Sequence, residues 1–141
     1  MHESFFVKIL PDYGDERGGM CVVEGNRDVP FEIKRFFYDF HTESSETRGN
    51  HANRNSRFAF ISVAGSCTVE VDDGLRKEVF VLDTPHKMLC VDKMTWKVMR
   101  DFSADNVLLV VSDCHYDGSE YIRCYEEFLD VCQQTQKGAA K

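Results

Sequence analysis

Short apolar-rich segments separated by turn residues occupy most of this chain, and they constrain its fold more than any other feature of the sequence. Each segment is rich in β-branched or aromatic residues and shorter than a typical globular helix, which indicates a β-strand. We predict strands at residues 5–10, 20–24, 32–40, 57–63, 67–71, 78–82, 86–91, 95–101 and 107–112. Many short strands at regular spacing are typical of an all-β sandwich or barrel of the jelly-roll type.

The last part of the chain has a helical pattern instead. Large side chains recur there with the period of a helix, at Tyr121, Tyr125, Phe128, Leu129 and Cys132. We therefore predict a short C-terminal helix over residues 121–134 that caps one end of the barrel. Residues 136–141 contain no large apolar side chain, so we expect a disordered tail there. At 141 residues the chain has the size of one domain, which we place at residues 1–135.

The balance of charge and the lack of long apolar runs exclude several classes of function. The chain has 17 basic and 24 acidic residues and a net charge of −7, whereas binding to nucleic acid backbones or anionic membranes requires a basic face. No apolar run is long enough to cross a bilayer, and residues 1–4 lack the basic region of a signal peptide. We therefore expect a cytoplasmic protein with neither a nucleic acid nor a membrane as partner.

Residues 48–53 contain a single histidine, His51, close to Gly49 at the expected mouth of the barrel. A small β-domain would hold one catalytic base at such a place. The unperturbed pKa of histidine, about 6.5, allows the side chain to accept and return a proton near neutrality. Taken alone, however, one histidine is more often structural, so a catalytic role depends on the surrounding motifs.

Several motifs occur in an order that resembles one enzyme family. They are Val23-Glu24-Gly25-Asn26, Pro30-Phe31-Glu32-Ile33-Lys34-Arg35, Arg48-Gly49-Asn50-His51-Ala52, Ser62-Val63-Ala64-Gly65-Ser66-Cys67, Asp72-Asp73-Gly74, Leu82-Asp83-Thr84-Pro85 and Tyr116-Asp117-Gly118-Ser119-Glu120-Tyr121-Ile122-Arg123-Cys124-Tyr125. Across residues 5–130 they are similar to the sugar 3,4-ketoisomerase family of cupins. The resemblance implies a cupin barrel that acts on a dTDP-linked 4-keto-6-deoxyhexose, moving the keto group from C4 to C3 through an enediol in deoxyamino-sugar biosynthesis. It also implies a homodimer with exchanged N-terminal strands.

The resemblance assigns expected roles to individual residues. His51 matches the principal base of the family, and Arg17 falls where a residue facing the sugar is expected. The guanidinium groups of Arg48 and Arg123 are expected to hold phosphates or to build the cavity wall. We also expect substrate contacts from Arg35, Phe37 and Phe58.

Two of the expected catalytic residues differ from the family pattern. Asn53 stands where the family usually has a second histidine, and Lys97 stands where it has histidine or arginine. We expect both to act in catalysis, with Lys97 as a cation beside the enediolate or as the acid itself if burial lowers its pKa. Because Phe37 and Phe58 also replace polar residues, the alternative hypothesis is a catalytically reduced cupin that binds a nucleotide sugar or a partner protein without turnover.

The sequence predicts neither a metal site nor another cofactor. The six cysteines are widely spaced and form no Cys-x-x-Cys pair, which favours reduced thiols over a zinc site. Cupin barrels that bind a metal usually use two histidines spaced as His-x-His, a glutamate and a later histidine. Here His51 is followed by Asn53 at the second position and by Lys97 at the last. One donor does not hold an ion that needs three or more.

Overall fold

The computed structural model describes the backbone of residues 3–139 and the side chains of residues 3–135. It contains ten strands: β1 (Phe5–Ile9), β2 (Arg35–Phe40), β3 (Arg48–Asn53), β4 (Phe58–Ala64), β5 (Cys67–Asp72), β6 (Lys77–Leu82), β7 (Lys87–Val91), β8 (Trp96–Arg100), β9 (Val107–Ser112) and β10 (Tyr121–Ile122). A 3₁₀-helix at Gly118–Glu120 precedes β10, and one α-helix, α1, spans Tyr125–Ala139.

The strands form two five-stranded antiparallel sheets. Sheet I has the order β1-β7-β4-β9-β2, and sheet II has the order β10-β3-β8-β5-β6. The main core lies between them, where inward side chains of sheet I such as Phe60 and Val110 meet Val69 and Met99 of sheet II. Alternation along each strand places every second side chain in this core. The predicted all-β jelly-roll fold with a short C-terminal helix is confirmed.

The segment between β1 and β2 covers the outer face of sheet I without joining the sheet. Val29 and Phe31 from this segment pack with Ile61 and Met88 of the sheet in a second apolar cluster. The strand predicted at residues 20–24 is therefore wrong. An apolar run predicts burial, and here Cys21 and Val23 pack on top of a sheet rather than within a ladder.

The C-terminal helix begins and ends later than predicted. The first predicted turn instead forms β10, which pairs with β3, and the helix starts at Tyr125. Phe128 packs against Ala52 and Ile122, so the helix is attached to the β3 edge of sheet II. The helix backbone continues through residues 136–139, which we had expected in a disordered tail; residues 140 and 141 lie outside the described residues.

The main core yields a test of the two-sheet arrangement. Phe60 is 1% exposed between the sheets, whereas Leu75 in the β5–β6 turn is 80% exposed. We expect Phe60→Ala to lower the free energy of unfolding by about 3–5 kcal/mol, because burial is lost and a cavity remains. Leu75→Ala is the control and should change it by less than about 0.5 kcal/mol. Urea denaturation followed by circular dichroism measures both, and equal effects would contradict the placement of Phe60.

Candidate active site

An irregular strand positions the histidine. The β3–β8 pairing shifts register between Gly49 and His51, and Gly49 and Asn50 both have positive φ angles, 82° and 57°. Glycine and asparagine disfavour regular strands, so the sequence does not predict a strand at residues 48–53, where the bulged β3 lies. A side chain at Gly49 would place its Cβ 2.7 Å from the carbonyl oxygen of Lys97. The bulge therefore requires glycine, and it sets the direction of the His51 side chain.

The contacts of His51 leave one ring nitrogen free to accept a proton. Its Nδ1 lies 2.9 Å from the carbonyl oxygen of Gly49. Since a carbonyl only accepts, Nδ1 carries the hydrogen, and the neutral ring then has its lone pair on Nε2. Burial, with a smaller effect from the charge of Lys97, lowers the pKa of His51 from 6.5 to about 4. The imidazole is thus a neutral base at physiological pH.

Lys97 lies directly across the ladder from His51 and is almost fully buried. The residue is 2% exposed, and its ammonium group donates hydrogen bonds to Asn53 Oδ1 at 2.9 Å and to the carbonyl of Thr95 at 3.3 Å. The group also sits 4.9 Å from the centroid of the Phe58 ring. Burial lowers the pKa of Lys97 from 10.5 to about 7, while the negative charge of Glu120 acts in the opposite direction. Near neutrality this side chain can therefore both give and take a proton.

Six side chains close into a ring around one site. The ring centroids of His51 and Tyr121 are 4.7 Å apart, and those of Tyr121 and Tyr116 are 5.9 Å apart. The guanidinium carbon of Arg35 lies 5.7 Å from the ring centroid of Tyr116 and 5.7 Å from that of Phe58. The Phe58 ring in turn lies under the ammonium group of Lys97. The ring of six side chains includes both sheets and the segment before β10. The predicted residues His51, Lys97, Arg35 and Phe58 are thus brought together.

Some donors at this site have no partner. Arg35 Nε and Nη2 and Asn53 Nδ2 are buried, and within the described part of the chain none of them makes a hydrogen bond. An unpaired buried donor is unfavourable, so a ligand or water with acceptor oxygens is the natural partner. Arg35 also faces Phe37 at 5.8 Å, which brings that predicted residue to the same cluster. The site therefore matches a molecule rich in oxygen acceptors.

The other predicted arginines differ in their placement. Arg123 lies 4.5 Å above the Tyr121 ring, at the exposed rim of the site. Arg48 instead pairs with Asp39 at 2.9 Å and so connects β3 to β2 across the two sheets. Arg17 pairs with Asp15 in an exposed loop, and its side chain is 86% exposed. Among the described side chains, no contact is found between Arg17 and these six residues of the site.

Three residues of the site had no assigned role in the sequence analysis. Tyr116, Glu120 and Tyr121 belong to the motif at residues 116–125, whose second half lies in the predicted helix at residues 121–134. Within residues 116–121 only Glu120 is buried, and the sequence carries no signal that distinguishes it from an exposed acid such as Asp117. Glu120 is 3% exposed.

The structure offers no obvious metal centre among residues 3–139. No three histidine, cysteine, aspartate or glutamate side chains of the described part are arranged to hold an ion. Over the same residues, no helix is long and apolar enough to cross a membrane. A groove of about 510 Å³, lined in part by Phe6, Phe31 and Val91, shares Phe58 with the site and extends it toward the start of β1.

Comparison with known proteins identifies the family. The model of the family described as "FdtA: WxcM-like, C-terminal" matches residues 4–133. The chain therefore belongs to this family.

Individual relatives agree in sequence and in fold. The chain is 40% identical over 123 residues to TDP-4-oxo-6-deoxy-alpha-D-glucose-3,4-oxoisomerase of Aneurinibacillus thermoaerophilus, which covers 87% of this chain and 86% of that protein. The crystal structure of a 3,4-ketoisomerase from Helicobacter canadensis superposes with a TM-score of 0.90 and 33% identity, over 94% of this chain and 99% of that chain. A mutant of the 3,4-ketoisomerase QdtA from Thermoanaerobacterium thermosaccharolyticum, in complex with TDP-4-keto-6-deoxyglucose, superposes with a TM-score of 0.89 and 28% identity, over 95% and 97%. The resemblance to cupin 3,4-ketoisomerases is confirmed.

Burial of Lys97 predicts a pH dependence of stability. Because its pKa is about 7 in the folded chain and 10.5 when exposed, the unfolded chain binds more protons between these values. The free energy of unfolding should therefore rise with pH across this window. Below the window, the destabilisation that results from burying a charged Lys97 should be constant. We expect Lys97→Met to remove this rise, whereas exposed Lys93→Met should keep it. Urea unfolding at about pH 7 and pH 9 tests this, and equal slopes in all three proteins would contradict the burial of a charged Lys97.

Proposed function

We propose that this protein is an isomerase that moves the keto group of a dTDP-4-keto-6-deoxyhexose from C4 to C3, in the synthesis of deoxyamino sugars. The relatives named above are 3,4-oxoisomerases or 3,4-ketoisomerases, and one of them was crystallised with a TDP-keto sugar. The observation in this chain that supports the proposal best is the pairing of His51 with Lys97 across one ladder. A neutral base and a group that titrates near neutrality are what a proton-transfer isomerase needs.

The proposed reaction moves protons within the substrate and needs no other reactant. The C4 ketone acidifies the proton on C3, and His51 Nε2 removes it. The electron pair then forms the C3–C4 double bond, and O4 becomes an enediolate oxygen. Lys97 lies on the same ladder and supplies positive charge or a proton to that oxygen, while Asn53 Nδ2 supplies a further donor. The hydroxyl on C3 then returns a proton to Lys97, which has given one to O4, and the protonated His51 delivers its proton to C4, which gives the 3-keto isomer.

Asn53 supports Lys97 rather than replacing a histidine. Its Oδ1 accepts a hydrogen bond from the ammonium group, and an amide does not titrate near neutral pH. The side chain therefore fixes the position of Lys97 and offers its own amide hydrogens to the substrate. By this arrangement the acid–base work falls on two side chains, His51 and Lys97.

The remaining residues of the site suit a sugar diphosphate. Arg35 has two unpaired donors inside an aromatic box of Phe37, Phe58 and Tyr116. We assign it to an oxygen of the sugar or of the diphosphate, since a guanidinium group binds such oxygens in pairs. Arg123 at the rim is suited to the outer phosphate.

Two of the predicted substrate contacts require a different geometry from the one described. Arg48 is occupied by Asp39, so we assign it to the cavity wall. Arg17 is exposed and pairs with Asp15, and we propose that a role facing the sugar requires another subunit to bring it to the site.

We also propose a homodimer formed through the outer face of sheet I. Outward side chains of β2 are unusually apolar for a surface, with Phe36 65%, Tyr38 55% and Phe40 56% exposed. Next to them lies an apolar groove of about 530 Å³ that includes Ile61 and Leu109. A second copy of the chain would cover both features. In the single chain β1 pairs with β7, and exchange of N-terminal strands would form the same ladder between two copies.

We also propose that the protein is cytoplasmic and consists of a single domain. All six cysteines are free, and a reducing cytoplasm keeps thiols in that state. One core joins the two sheets, which supports a single domain over residues 1–135.

The assignment of His51 as the base is tested by replacing its imidazole with an amide. With dTDP-4-keto-6-deoxyglucose in D₂O, we expect the parent to show deuterium entering the sugar together with formation of the 3-keto product by NMR. His51→Asn should lower the rate by a factor of about 10² to 10⁴, because a general base is lost, and should still bind dTDP by calorimetry. The matched control His115→Asn changes an exposed histidine and should keep the parent rate. Turnover of His51→Asn at the parent rate would exclude His51 as the base, and binding by the parent without any exchange would favour a non-catalytic binding protein.

Strand exchange is tested by a disulfide across the β1–β7 ladder. Phe6 lies opposite Cys90, so Phe6→Cys should form a disulfide with it on oxidation. In an exchanged dimer this bond joins two chains, and we expect a covalent dimer on a non-reducing gel, in a background where exposed Cys124 is replaced by serine. Val7→Cys, which faces Leu89, should give none. A disulfide confined to single chains would exclude exchange, and light scattering would report separately whether the protein is a dimer.

A further inference from the structure

Glu120 is a buried acid that the proposed mechanism does not use. It is 3% exposed and lies at the end of the 3₁₀-helix, immediately before Tyr121, which contacts His51. A carboxylate is seldom buried without a cation beside it, because loss of hydration disfavours its charge. Among the ion pairs formed by the described side chains, none includes Glu120.

Neutral donors hold the Glu120 carboxylate in place. Oε1 accepts hydrogen bonds from the backbone amides of Ser56 at 3.0 Å and Asn55 at 3.4 Å, and Oε2 accepts one from Ser56 Oγ at 2.7 Å. The carbonyl of Glu120 accepts a further bond from the amide of Arg54. These bonds fix the turn between β3, which carries His51, and β4, which begins at Phe58.

Because the bonds come from neutral groups, the negative charge of Glu120 is not cancelled locally and acts on the site. It favours the protonated forms of both His51 and Lys97. Among the described side chains, Arg123 above Tyr121 and Arg35 on the Phe58 ring, which also lies under Lys97, bring further positive charge to the site. Glu120 is thus the acidic group that balances a site otherwise made of cations.

We propose that Glu120 is a positioning residue with two effects: it anchors the β3–β4 turn through its hydrogen bonds to Ser56 and Asn55, and its buried charge, next to Tyr121 on the His51 side of the site, assists Lys97 as the acid of the reaction. The second effect rests on the proposed function, whereas the electrostatic coupling between Glu120 and Lys97 does not. A residue that only held the turn would affect stability and rate but would leave the titration of Lys97 unchanged.

The variants separate charge from anchoring. Glu120→Gln keeps the size and can still accept the two amide hydrogen bonds, but it removes the charge. Ser56→Ala removes one hydrogen bond and keeps the charge, so it is the matched control for anchoring. Glu120→Asp keeps the charge but withdraws it by one methylene group.

The first measurement is an NMR titration of the Lys97 ammonium group and the His51 ring in substrate-free protein. We expect the Lys97 midpoint to fall by about half a pH unit or more in Glu120→Gln, less in Glu120→Asp, and not at all in Ser56→Ala. The His51 midpoint should move in the same direction. Unchanged midpoints in Glu120→Gln would overturn the proposal. If Glu120→Gln does not fold, the contrast between Glu120→Asp and Ser56→Ala decides, and equal midpoints in those two would overturn it.

The second measurement is the pH profile of turnover. If Lys97 acts as the protonated acid, the alkaline limb should move to lower pH in Glu120→Gln and keep its position in Ser56→Ala, whatever the loss in rate. A limb that stays in place while the Lys97 midpoint moves would overturn the role of Glu120 in catalysis. Absence of turnover in the parent would instead count against the proposed isomerase function, and the titration would still decide the coupling.

Discussion

Burial of the Lys97 ammonium group between the two sheets is the constraint around which the site is arranged. Removing a cation from water is costly, and the structure compensates with an amide oxygen from Asn53, a carbonyl from Thr95 and the face of the Phe58 ring. None of these is a full negative charge. Burial lowers the pKa of Lys97 to about 7, and the negative charge that opposes this effect comes from Glu120. A residue chosen for stability alone would be apolar, which supports the catalytic role that we propose for Lys97.

Strand β2 serves two faces of the protein at once. Its inward side chains Arg35 and Phe37 face the site, whereas Phe36, Tyr38 and Phe40 point to the opposite side and form the apolar surface that we assign to the dimer. This division follows from the two-residue period of a strand. The proposed dimer surface and the proposed sugar contacts therefore depend on the same strand.

Most of the fold could be predicted from the sequence because strand patterns are local. The segments that became β4, β5, β7, β8 and β9 alternate or run apolar over a few residues, and their bounds match the predictions to within one residue at each end. The failures also have local reasons. The 20–24 segment is apolar because it packs on a sheet, and β3 contains Gly49 and Asn50, which disfavour regular strands and form the bulge. Tyr121 and Ile122 were read as helix because they share the helical spacing of the residues that follow.

Residue types and their order determined the fold class, the family resemblance and the choice of His51, Lys97, Arg35 and Phe58 as candidate site residues, since these depend on motifs within short stretches of chain. Tertiary structure alone decided how the chemistry is distributed. It places Lys97 opposite His51, and it leaves donors of Arg35 and Asn53 without hydrogen bonds to the described residues. Arg48 pairs with Asp39, and Arg17 pairs with Asp15 in an exposed loop. Glu120 is held next to the site by its hydrogen bond to Ser56. The physical reason is that burial and the sum of neighbouring charges set a pKa and the availability of a hydrogen bond, and both depend on residues that are distant in the sequence.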